Sequence, residues 1–318
     1  TVSKLIFEDK KCVGVKFFKH GKEKFIKAAK EVILSGGAVN SPHILQVSGI
    51  GPSDHLMNIG INVVHHLPGV GANLQDHYVA RVSHRVRHAK SINSLSRGTN
   101  LLKEMATWAF SGKGALTFGV TSAMVFSRSR EGLSSPDLQL LFTPASYSER
   151  TLGKLEQEDG MTVAVCPVRP ASRGTIMAVS SDPFVRPEIR PNYLSDPDDV
   201  RVLLAGIHQT REIFSQPALQ RYSSKETAPG IQIQTSEELE SFARENGSII
   251  YHPVSTCRMG NDAMAVVDPR LRVHGIKGLR VVDASIMPTV TTGNTNAPTI
   301  MIAEKASDMI LEDARQAS

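Results

Sequence analysis

The order of apolar and polar positions divides the chain into three stretches. Positions 1–35 largely alternate with a period of two. This predicts strands over residues 2–7, 12–18 and 24–34. Glu8-Asp-Lys-Lys11 and Lys19-His-Gly-Lys22 supply the turns between them. The third strand runs into Val32-Ile-Leu-Ser-Gly-Gly-Ala-Val-Asn-Ser41, where an apolar run meets paired glycines. Ser41 and Pro42 have the chemistry of a helix cap and first position, so a helix is expected to open there and continue through Val47. Pro52-Ser-Asp-His-Leu56 predicts another short helix.

The middle stretch reads differently. Residues 99–111 predict an amphipathic helix stopped by Gly112. Alternating runs over 123–126, 138–142, 161–168 and 175–179 predict an antiparallel sheet. Helices are expected over 196–214, with Asp198 and Asp199 in the first turn, and from Ser236 to near Gly247. In the last stretch, residues 279–289 read as a strand entering a turn. Thr292-Gly-Asn-Thr-Asn-Ala-Pro298 is a polar turn, and residues 299–310 form a closing helix. The expected fold class is therefore α/β (α+β). Residues 1–84 and 249–318 are expected to share one domain, and 85–248 to form a second, built on the antiparallel sheet with helices.

Composition narrows the function. The chain has 318 residues, 41% hydrophobic and 21% charged, which is ordinary for folded domains. Its net charge of +5 is modest. Lysine and arginine look dispersed among acids, which argues against nucleic acid as a partner. The nearest basic cluster, Ser83-His-Arg-Val-Arg-His-Ala-Lys90, reads as a solvated strand and loop. Three scattered cysteines suit neither a disulfide framework nor a zinc site. No apolar run approaches the ~20 residues of a spanning helix. The chain begins inside a strand without methionine, and we expect it to be a piece of a longer protein.

Candidate chemistry concentrates near the C-terminus. Tyr251-His-Pro-Val-Ser-Thr-Cys-Arg-Met-Gly260 places one histidine in a turn. His252 and an asparagine of the last turn, Asn294 or Asn296, are expected to face one reactive centre. Gly36–Gly37 lies where backbone N–H groups can approach a cofactor, although a plain turn has the same sequence. Cys257 lies close to His252, but nothing nearby in sequence would orient such a pair for nucleophilic catalysis.

Several of these runs together resemble the glucose–methanol–choline (GMC) oxidoreductases. They are Gly37-Ala-Val-Asn-Ser-Pro-His-Ile-Leu-Gln-Val-Ser-Gly-Ile-Gly51, Asn73-Leu-Gln-Asp-His77, Arg169-Pro-Ala-Ser-Arg-Gly174 with Pro191-Asn-Tyr-Leu194, the His252 segment, Val282-Asp-Ala-Ser-Ile-Met-Pro288, and the run from Gly293 to Lys305. The wording is most similar to the choline and alcohol dehydrogenases of that family. The resemblance implies part of an FAD-binding domain, a substrate domain, and oxidation of an alcohol to a carbonyl. It implies His252 as the base and Asn294 as its companion, with Asn296 ranked second. It implies flavin contacts at Asp283, Ala284, Thr295, Asn296 and Ala297, and adenine-end contacts at Val2, Gly36 and Gly37. The family's glycine-rich N-terminal fingerprint is not in this sequence. The resemblance also implies a small alcohol as substrate and leaves the electron acceptor and compartment open. A hydroxynitrile lyase on the same scaffold and a fragment without FAD are the alternatives.

Overall fold

The computed structural model describes residues 1–148 and 153–316. In chain order the main elements begin with strands β1 (Val2–Glu8), β2 (Lys11–Lys19), β3 (Lys22–Lys27) and β4 (Val32–Leu34). Helices α1 (Gly37–Val47) and α2 (Ser53–Asn58) follow, then β5 (Tyr78–Val86) and α3 (Gly98–Ser111). Next come β6 (Ala123–Ser127), β7 (Leu138–Thr143), β8 (Gly160–Pro167), β9 (Thr175–Met177) and β10 (Glu188–Arg190). The chain continues with α4 (Pro197–Ser215), β11 (Ser223–Ala228), α5 (Ser236–Asn246), β12 (Ser248–Ile249), β13 (Leu279–Val281) and α6 (Asn296–Gln316).

Two compact units result. The first gathers Thr1–Asp76, Pro170–Ser195 and Tyr251–Ser318. Its strands β1, β2 and β3 make an antiparallel meander. The expected strand over 24–34 is in fact two. The chain leaves the meander after Lys27, and β4 pairs in parallel with β13, in the register Val32↔Leu279 to Leu34↔Val281. One apolar core joins Leu5 of β1, Leu45 of α1, Val254, Cys257, Val281 and Ile302 of α6.

Helix α1 begins at Gly37, earlier than Ser41, and Pro42 lies inside it. Proline has no N–H for the carbonyl four residues back. That carbonyl, on Ala38, accepts instead from the Thr256 hydroxyl at 2.6 Å. Ser41 is no N-cap. Its hydroxyl accepts from the Gly36 N–H and donates to Asp283 at 2.5 Å.

The second unit comprises His77–Arg169 and Asp196–Ile250. Its antiparallel sheet has the order β11-β5-β8-β7-β6, with β12 also paired to β5. Helix α4 packs on this sheet through Val202, Leu203, Ile207 and Phe214. It comes close at Gly206, where a Cβ would stand 2.4 Å from a Val165 methyl. Two expectations need correcting. The boundary set at 84/85 would cut β5, a central strand of this sheet, so the division falls at 76/77. The run over 175–179 is not in this sheet: β9 pairs with β10 in a hairpin of the first unit. Strand β5 is polar because its partners are polar: Ser83 meets Thr162 at 2.9 Å and His84 meets Ser223 at 2.7 Å. Among the described residues, no helix is long and apolar enough to cross a membrane, and no group of three or more His, Cys, Asp or Glu could hold a metal.

Candidate active site

The segment around His252 is held in an unusual backbone. Tyr251 and Ser255 have φ of 60° and 75°, and Asn73 opposite has 60°. Left-handed backbone at a non-glycine residue costs about 1–3 kcal/mol and persists where the surroundings enforce it. Here the enforcing contacts are a two-way bridge, Val254 N–H to Gln75 O at 2.9 Å and Gln75 N–H to Val254 O at 3.2 Å. The bridge sets Asp76 beside His252. Asp76 Oδ1 accepts the His252 backbone N–H at 2.8 Å, and Oδ2 accepts the Tyr193 hydroxyl at 2.9 Å.

Gln75 ties in the other arm of the site. Its amide N–H donates to the Ser255 hydroxyl at 3.3 Å, and its carbonyl accepts the Val290 N–H at 3.2 Å. Thus Asn73-Leu-Gln-Asp-His77, to which the sequence reading gave no chemical role, is the hub of the site. Asn294 Nδ2 comes to 3.4 Å from His252 Nε2. Asn294 and Asn296 are both exposed, but Asn296 opens helix α6. The structure therefore brings His252 and Asn294 together and leaves Asn296 at the helix end.

His252 is 8% exposed. Burial lowers its pKa from the ordinary 6.5, and the neighbouring Asp76 charge partly opposes this. The ring is accordingly neutral near pH 7, with Nε2 able to accept a proton. Cys257 is fully buried, and its thiol is pushed well above its ordinary range. It is kept protonated, which excludes it as a nucleophile beside His252. His77 is buried too, its Nε2 3.3 Å from the Val168 carbonyl, and packs as a satisfied core histidine.

The residues expected at a flavin fit such a group in part. Asp283 lies two residues beyond β13 and is buried. It accepts from the Gly37 N–H at 2.9 Å, the Ser41 hydroxyl, and the Ser285 N–H at 2.8 Å, which joins two of the expected seats. Gly37 has φ of 79° and open space where a Cβ would stand. Thr295, Asn296 and Ala297 form the N-terminal end of the long helix α6, whose first N–H groups favour electron-rich partners. Thr291 Oγ1 is buried and has no partner among the described residues. Ala284 is half-buried, and its carbonyl accepts from Ser255. Val2 opens β1 opposite Phe17 and has no hydrogen bond to the Asp283 cluster among the described residues.

Comparison with known proteins gives the family. Residues 1–79 match the N-terminal part, and residues 170–303 the C-terminal part, of GMC oxidoreductase. An oxygen-dependent choline dehydrogenase of Pectobacterium carotovorum is 43% identical over 307 residues, covering 96% of this chain and 55% of that protein. Human mitochondrial choline dehydrogenase is 44% identical over 315 residues, covering 97% of this chain and 52% of its own length. The chain spans about half the length of these relatives. Among solved structures, a formate oxidase of Aspergillus oryzae studied for its FAD modification superposes with a TM-score of 0.92 at 26% identity, over 100% of this chain and 60% of that one.

Proposed function

Because the chain belongs to the GMC oxidoreductase family, whose members are FAD-dependent enzymes acting on CH–OH donors, we propose that it carries the proton-abstracting side of an alcohol-oxidising active site. The observation that carries this reading is the 3.4 Å approach of Asn294 Nδ2 to His252 Nε2, on a loop fixed by Asp76. Two groups of complementary character converge there. One accepts a proton, and the other donates a hydrogen bond.

In this reading bound FAD supplies the hydride acceptor. Asp283 with Gly37 and the first turn of α6 would help hold it. His252 Nε2 takes the hydroxyl proton of the alcohol. The Asn294 amide donates to the substrate oxygen, fixing its orientation and stabilising negative charge as the proton leaves. The Asp76 carboxylate holds the His252 backbone and, through its charge, limits how far burial depresses the ring's pKa. The substrate class is a primary alcohol. Because the relatives named above are choline dehydrogenases, choline is the first substrate to assay.

The test uses FAD-loaded protein and follows reduction of the bound flavin by alcohol without oxygen. His252→Ala should keep its flavin and slow that reduction by ~10²–10⁴. An unchanged rate would overturn the assignment. No reduction by any alcohol in the flavin-loaded wild type would favour a chemistry without net oxidation, as in a hydroxynitrile lyase.

A further inference from the structure

The charge of this protein is not dispersed as a linear reading suggests. Residues 1–31 hold nine lysines, no arginine and four acids, a surplus of +5 that equals the net charge of the whole chain. The other 287 residues balance. All nine lysines lie on β1–β3, their turns, or the few residues that follow. Eight of them are exposed, and only Lys16 makes an ion pair among the described residues, with Glu23 at 3.7 Å.

The register shows how they are arranged. Lys4 stands opposite Lys16, and Lys16 opposite Phe25, so these three form one row across one face. Lys27, opposite Gly14, lies on the same face. The Phe25 ring lies over Gly14, where a Cβ would meet it at 2.6 Å, and is 52% exposed. Phe18, also on this face, meets the exposed Phe184 edge-on at 5.0 Å. At the turn, Lys19 pairs directly with Lys22, both on the opposite face. Like charges placed opposite each other weaken a sheet, so folding does not account for Lys4–Lys16 or Lys19–Lys22.

We propose that this face of the meander docks on an anionic lipid bilayer. The lysine-only composition selects that partner. Discrete carboxylate or phosphate recognition favours the planar fork of arginine, whereas lysine is a mobile point charge suited to a diffuse anionic surface. The two exposed phenyl rings among the cations supply apolar contact at headgroup depth, as in other interfacial surfaces. The proposal stands apart from the active-site reading.

The test is sedimentation of the protein with vesicles of mixed phosphatidylserine and phosphatidylcholine, against pure phosphatidylcholine, at low and high salt. Binding should require the anionic lipid and weaken with salt. Replacing Lys4, Lys16 and Lys27 by glutamine should weaken it by about a hundredfold, at roughly fivefold per lysine. Replacing the same three by arginine should preserve it, which separates charge from folding. Phe25→Ser should lower binding while leaving its salt dependence. Equal binding to neutral vesicles, or none to anionic ones, would overturn the proposal. So would a preference for duplex DNA or an acidic polypeptide over vesicles, which would make the face a polyanion site of another kind.

Discussion

In its proposed role His252 acts only while its ring is neutral. Burial lowers its pKa below 6.5, so the base stays competent further into the acid range than a free imidazole would. The rate of flavin reduction should therefore be flat through neutral pH and fall only below 6.5. A limb centred above that value would contradict the assignment. Asp76 offers a sharper test, because its charge raises the same pKa. Asp76→Asn should move the acid limb to still lower pH and reduce the rate modestly, since an amide can still accept the His252 N–H. If Asp76 were merely a packing residue, the rate would change without any movement of the limb. Signals for Asp76 and Tyr193 were present in the sequence as matched motifs. Their roles were not, because residues 76, 193 and 252 meet only through the Gln75–Val254 bridge.

At the scale of elements, long-range partners decide where strands and helices end. Residues 24–34 have one continuous strand-like pattern, yet β4 leaves the meander for a partner some 245 residues away, Val281 beside Leu34. Helix α1 tolerates Pro42 because Thr256 serves the carbonyl that proline leaves open. Thr256→Val keeps the shape and removes that hydroxyl. It should lower stability by about 1–3 kcal/mol, the cost of a buried acceptor left unpaired, read from denaturant midpoints at constant slope. No change would mean that another donor takes over at Ala38. Helix α3 is the contrary case: its amphipathic pattern predicts a buried stripe, yet the structure buries none of its residues.

For the whole molecule, the first unit is assembled from three separated segments, and Arg280 joins the first to the last. Its guanidinium donates to Glu31 at 2.8 Å, to Asp313 at 2.5 Å, and to the Arg270 carbonyl at 2.7 Å. The entry to β4, strand β13 and the end of α6 thus share one buried cation. Arg280→Ala should lower stability by about 3 kcal/mol, the low end for breaking a buried pair, because both carboxylates keep some solvent. An unchanged melting temperature would mean that these elements are held without it.

The sequence by itself determined the periodic elements, the mixed α/β class, the family, and the histidine with its two candidate amides. These features are local, since they follow from alternation, turn residues and contiguous motifs. Only the tertiary structure decided the unit boundary at 76/77, the split of the third strand, the central place of polar β5, and the choice of Asn294 over Asn296 as the amide beside His252. Each of these depends on which distant segments pair, and a hydrogen-bond partner far along the chain leaves no mark on the residues next to it.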